Sequence, residues 1–98
     1  MYRQGDVLLV PCGLPSDAKK AKVDGRIVLA TGEATGHAHT VAEADAELYE
    51  LGEERFLSTE KAVAVEHQEH ATVEVPAGTY KVIRQREYSP QEIRNVRD

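Results

Sequence analysis

Short β-favouring runs alternate with turn signals along the whole chain. Residues 7–10, Val-Leu-Leu-Val, follow Gly5-Asp6 and stop at Pro11-Cys12-Gly13, which reads as a strand and a loop. The polar stretch 16–24 reads as a surface excursion. Asp24-Gly25 then leads into a second strand over residues 26–30. Residues 31–36 form a turn with two glycines, and 37–41 and 46–51 are extended, joined by 42–45. Gly52-Glu53-Glu54 turns the chain into a strand over 55–59. Val63 and Val65 share one face of a strand over 62–66, and 72–75 alternates more clearly, as a strand with one wet face does. Pro76-Ala77-Gly78 is a tight turn before a long last strand, residues 80–86.

The C-terminus changes character. Ser89-Pro90-Gln91-Glu92 places a capping Ser, a Pro at the first helical position and a Glu at the third, ahead of Ile93 and Val96. That is a capping box, and it predicts a short helical turn in a tail spanning 87–98. Seven or eight short strands at even spacing predict an all-β, small single-domain fold over residues 1–98, a barrel or a sandwich.

Composition refines this picture. At 98 residues the chain supports one hydrophobic core. With no Trp and one Phe, that core is built from Val, Leu, Ile and Ala. Net charge is −5, unevenly spread. Residues 1–78 carry seven Lys/Arg against fourteen Asp/Glu, and residues 79–98 carry five against three. The acidic body speaks against nucleic acid as a partner, since that affinity needs cations to displace counterions. The arginines of the basic end are expected to pair with the acidic body. The single Cys12 excludes an intrachain disulfide. No apolar run approaches a membrane span, and the first residues lack a secretory layout, so a cytoplasmic location is expected.

The chemistry lies in the histidines. All four fall in two tight pairs, His37-x-His39 and His67-x-x-His70. In a strand, positions i and i+2 point to one face, so His37 and His39 present two imidazoles together. If the second segment folds back beside the first, His67, His70 and the intervening Glu69 converge on them. Neutral imidazoles and a carboxylate suit a divalent metal ion, zinc or another transition metal, and this donor set alone does not choose among them. Established patterns are excluded by single positions. Val41 breaks an alternating histidine triplet, and His67-Gln68-Glu69-His70 is one residue short of the helical H-E-x-x-H motif.

Gly32, His37, His39, Glu43 and Gly52 resemble the first motif of the cupins, and Pro76-Ala77-Gly78 resembles the start of their second. The resemblance implies a cupin-like barrel with a metal on the H-x-H pair. The chain departs from it after Gly78, where Thr79-Tyr80 stands in place of a third metal histidine, so His67 or His70 would have to substitute. A second resemblance covers nearly the whole chain. Gln4-Gly5-Asp6-Val7-Leu8, Gly32 to His39, His67-x-Glu69-His70 and Gln85-Arg86-Glu87-Tyr88-Ser89-Pro90 are similar to a family of small bacterial proteins of unknown function. It implies no activity, but it marks Arg86 and Tyr88 as candidate ligand-binding residues.

The expectation is therefore a small metal-binding β-domain with His37, His39, His67, His70 and Glu69 around the ion. Glu33 or Glu43 would serve as base if the site is catalytic. The alternative is a non-enzymatic interaction module whose histidines hold a loop or sense pH. Its partner would be a small molecule or a protein, including a second copy of the chain through an open sheet edge.

Overall fold

Ten strands form in the computed structural model, which describes residues 1–31, 36–42, 44 and 46–84. Six make one antiparallel sheet in the order β1-β2-β10-β7-β6-β3. They are β1 (Tyr2–Gln4), β2 (Val7–Pro11), β3 (Lys19–Lys20), β6 (Glu47–Leu51), β7 (Glu54–Thr59) and β10 (Gly78–Arg84). Two ribbons complete the fold: β4 (Ile27–Thr31) with β5 (Ala38–Val41), and β8 (Val63–Val65) with β9 (Val73–Val75).

The core lies between the large sheet and the ribbons. Val7, Leu9, Leu48, Leu57, Tyr80 and Val82 come from the sheet; Ile27, Leu29, Val41, Val63, Val65 and Val75 come from the ribbons. Spacing of two along β2 and β10 puts Val7 and Leu9, and Tyr80 and Val82, on the inner face, while Leu8 and Phe56, one residue out of phase, are buried outside this cluster. Fully burying one such side chain contributes about 1.5–3 kcal/mol. Arg55 of β7 crosses between the layers. It donates to the backbone carbonyls of Val28 and Leu29, where the β4–β5 register slips by a bulge, and so satisfies oxygens the ladder has misaligned.

The all-β expectation holds, and no α-helix occurs among the described residues. The closed barrel does not. The large sheet is open, with β1 at one edge and the two-residue β3 at the other. β1 and β3 do not pair with each other, and the lysines of β3 blunt that edge against further pairing. The cupin-like barrel falls with it. The tail 87–98 and its expected helical turn lie outside the described residues.

Two features missed by pattern reading position the site. The first is β1, which pairs with β2 through the two-residue turn Gly5-Asp6. Of these two residues only Gly5 has a positive φ, 59°, the signature of a type II′ hairpin. The second is a return of the chain after β8. Thr40 and Glu66 exchange both backbone hydrogen bonds at 2.9 Å, clamping the segment that follows Val65 onto β5. Arg26 reinforces the clamp, bonding Thr40 Oγ1 at 2.9 Å and pairing with Glu66 at 3.3 Å.

Candidate functional site

That clamp brings the two histidine pairs together. The His67 ring lies 5.6 Å from that of His37, 4.3 Å from that of His39 and 4.6 Å from that of His70, centroid to centroid. His39 and His70 lie 5.9 Å apart, nearly parallel. Gln68 accepts the Ala38 N–H at 2.9 Å, which fixes the returning segment to the start of β5. The Glu69 carboxylate approaches His37 Nδ1 at 3.1 Å. His39 is the buried floor of the cluster, His37 and His67 are half-buried, and His70 and Glu69 are exposed.

Hydrogen bonding assigns the neutral tautomers of two rings. The buried amide of Gln4 donates from Nε2 to the carbonyls of Val65 (2.8 Å) and Ala71 (2.9 Å). Carbonyls only accept, so the Gln4 orientation is settled, and its Oε1 is the atom facing His39 Nδ1 at 2.8 Å. His39 must then donate from Nδ1, and its Nε2 carries the lone pair. His67 is the reverse case. Its Nδ1 accepts the backbone N–H groups of Glu69 (2.9 Å) and His70 (3.2 Å), so the neutral ring holds its proton on Nε2 and presents a donor.

The β1–β2 turn closes the other side. Asp6 Oδ1 lies 3.5 Å from His39 Nε2, while its Oδ2 meets the Arg84 guanidinium at 3.3 Å. The His70 ring packs on Gly5, where an added Cβ would stand 2.6 Å from its Nε2. Burial pushes the His39 imidazole below the ordinary histidine range, and His67 and His70 act in the same direction against Asp6. Burial lowers His67 too, helped by His70 and His37. Burial pushes the Asp6 carboxyl up, but the hydrogen bond and charge of Arg84 outweigh it, and the net shift is down. At neutral pH the lowered values leave the His39 and His67 imidazoles uncharged beside an ionised Asp6 carboxylate. That donor set takes a divalent cation or a proton, and His67 adds an N–H that can stabilise an anion beside it. Among the described residues, no three His, Cys, Asp or Glu side chains already surround one point at metal-ligand distance.

A family model described as a domain of unknown function (DUF8820) matches residues 3–85. The chain belongs to this family. The match takes in the Gly5-Asp6 turn, both histidine pairs and Arg84, and stops before the C-terminal tail. No curated protein and no solved structure matches the chain at a significant level. The family description assigns no activity, so the site must be read from its own geometry.

Of the residues singled out from sequence, His37, His39, His67, His70 and Glu69 stand together in this cluster. Glu33, Glu43, Arg86 and Tyr88 lie outside the described residues. Pro76-Ala77-Gly78, the turn the cupin resemblance makes a metal motif, precedes or opens β10. Only the other end of that strand, at Arg84, reaches the cluster, roughly 20 Å away at the rise of an extended chain. Sequence reasoning missed Gln4, Asp6, Gln68 and Arg84. Gln4 and Asp6 carried a partial signal, since they flank Gly5 and a Gly-Asp pair ahead of an apolar run marks a turn. Among the described residues a cavity of about 720 Å³, lined by Lys20, Lys22, Leu48 and Thr59, has no histidine on its walls. The chemistry-bearing cluster lies elsewhere, running from buried His39 to exposed His70. No helix among the described residues is long and apolar enough to cross a membrane.

Proposed function

We propose that this chain is a small metal-binding β-domain and that the histidine cluster holds a divalent transition-metal ion. The observation that carries the reading is the Gln4–His39 pair. Metal-ligating histidines almost always donate their second ring nitrogen to an acceptor that fixes tautomer and orientation. Here a fully satisfied buried amide does so, the freed Nε2 faces the Asp6 carboxylate, and the His67 and His70 rings lie beside the His39 ring. His70, exposed, supplies a further donor on a side chain with room to reorient, and Glu69 stands against His37 at the rim.

The test is metal content of untagged protein, followed by thermal melts with added zinc, cobalt or manganese. A ligand at a hundred times its Kd stabilises by about 2.7 kcal/mol, which shifts the melt by roughly 10–20 °C. That shift should vanish in His37→Ala/His39→Ala, and shrink in His70→Ala, whose exposed side chain leaves the core intact. Protein that purifies without metal, and whose melt no divalent ion moves, would refute the reading. A second reading, a pH-sensing interaction module, draws on the depressed basicity of His39 and His67. It predicts stability that varies with pH across the histidine range and does not respond to metal.

A further inference from the structure

We propose that Asp6, on the turn between β1 and β2, is the anionic ligand of this centre, bound through Oδ1 opposite His39 Nε2. The inference rests on the metal reading and specifies its donor set.

Three observations carry it. The Gln4 carbonyl takes the Nδ1 proton of His39, so Nε2 of the neutral ring and Oδ1 of Asp6 are two acceptor atoms facing each other at 3.5 Å. Lone pairs held at that separation call for a cation between them. A metal bound to both at about 2.1 Å in tetrahedral geometry would place them roughly 3.4 Å apart, so the pair already spans one edge of such a site. Next, Arg84 holds the other carboxylate oxygen at 3.3 Å, which leaves Oδ1 to act as a one-oxygen ligand. Carboxylate ligands are commonly oriented by such outer hydrogen bonds. Finally, the hairpin sets the position. Gly5 takes the positive-φ corner, Asp6 follows it on the cluster side, and the His70 ring rests against Gly5.

These contacts sort the donors by role. His39 Nε2 and Asp6 Oδ1 are the preplaced pair. His70, exposed and seated one residue from Asp6, is the side chain that swings to complete the set. His67, committed through Nδ1 to two backbone donors, supplies an N–H beside the ion and does not ligate it. Two imidazoles and one carboxylate leave coordination positions open for water or an oxygen-donor ligand, the donor set used for iron, manganese or zinc at reactive sites.

The experiment is a titration with Co(II) and Zn(II) alone, following visible absorption and the carboxyl-carbon resonance of Asp6 in unsubstituted protein. Asp6→Asn and His67→Gln are titrated beside it, with circular dichroism to check folding. Expected results are a shift of the Asp6 resonance on saturation, at least about tenfold weaker binding in Asp6→Asn with an altered cobalt spectrum, and an unchanged ligand count in His67→Gln. Because the resonance is read in the unsubstituted chain, the proposal stays testable even if Asp6→Asn folds poorly. Metal binding abolished by His39→Ala but with the Asp6 resonance unmoved and Asp6→Asn binding as tightly as the parent overturns the Asp6 assignment and leaves the metal reading standing. No binding by the parent overturns both, and leaves the Asp6–His39 contact as an ion pair only.

Discussion

Replacing Gln4 with methionine keeps most of the side-chain volume and removes every hydrogen bond of the amide. The Val65 carbonyl, the Ala71 carbonyl and the His39 Nδ1–H lose their partner together. A buried polar group left unpaired costs about 1–3 kcal/mol. The Val65 and His39 contacts are fully buried and count in full, whereas the part-buried Ala71 carbonyl counts for less. The gross cost is about 4–5 kcal/mol, offset by about 1–2 kcal/mol from burying an apolar chain in place of an amide. A net loss of about 3 kcal/mol is a large share of the stability typical of a small domain. It should lower the melting temperature by roughly 12–24 °C. Urea denaturation gives the free energy directly. Nitrogen NMR of the His39 ring adds a readout that a packing defect would not move. The parent should show a protonated Nδ1 at neutral pH, and Gln4→Met a mixture of tautomers. Metal affinity should fall about 10- to 100-fold in the same variant, as it does when an orienting partner is lost. A loss below about 1 kcal/mol, or an unchanged His39 tautomer, would refute the argument that this amide sets the ring.

Two further outcomes follow from the same geometry. In metal-free protein, His39 and His67 have folded-state pKa values below their unfolded ones, so the unfolded chain binds protons first as pH falls. Stability should be full above the ordinary histidine pKa of about 6.5, decline as pH drops below it, and level off once the folded rings also protonate. Urea midpoints measured from pH 8 to pH 5 test this, and a flat profile contradicts it. Gly5→Ala should cost about 1–2 kcal/mol, because a left-handed φ strains any residue with a Cβ. The clash with His70 adds little, since that exposed ring can swing aside. Adding His70→Ala to Gly5→Ala should therefore restore almost none of the stability, and substantial recovery would show that the clash dominates.

Much of the strand pattern was legible in the sequence because each run has its own turn punctuation. The expected strand over residues 7–10 is β2, that over 26–30 is β4, and that over 72–75 contains β9. β1 was missed because Tyr2-Arg3-Gln4 is too polar and too short to stand out; it exists by pairing with β2. β3 was missed for the same reason, two lysines made a strand by β6. Closure into a barrel was not readable, because it depends on which edges meet. For the site, period two along a strand was the reason to expect His37 beside His39; β5 begins only at Ala38, and each of the two rings lies against that of His67. The approach of His67 and His70 rested on a fold-back that only the Thr40–Glu66 pairing reveals. Asp6 and Arg84 meet across 78 positions of chain, a contact no local pattern encodes.

The position of β10 has a consequence for how the chain folds. It is the last described strand in sequence and yet sits inside the large sheet, pairing Leu9 with Val82 on one side and Leu57 with Tyr80 on the other. During synthesis β2 and β7 each wait with an open edge until β10 has emerged. Contact order is correspondingly high, and loop closure must be achieved before the central ladders repay it, which favours folding on the millisecond-to-second scale. Arg84 lies at the end of this strand, so the Asp6 carboxylate is fixed only when the final ladder zips. Ion uptake in the nascent chain would therefore report completed folding, and the centre would mature after the fold rather than template it.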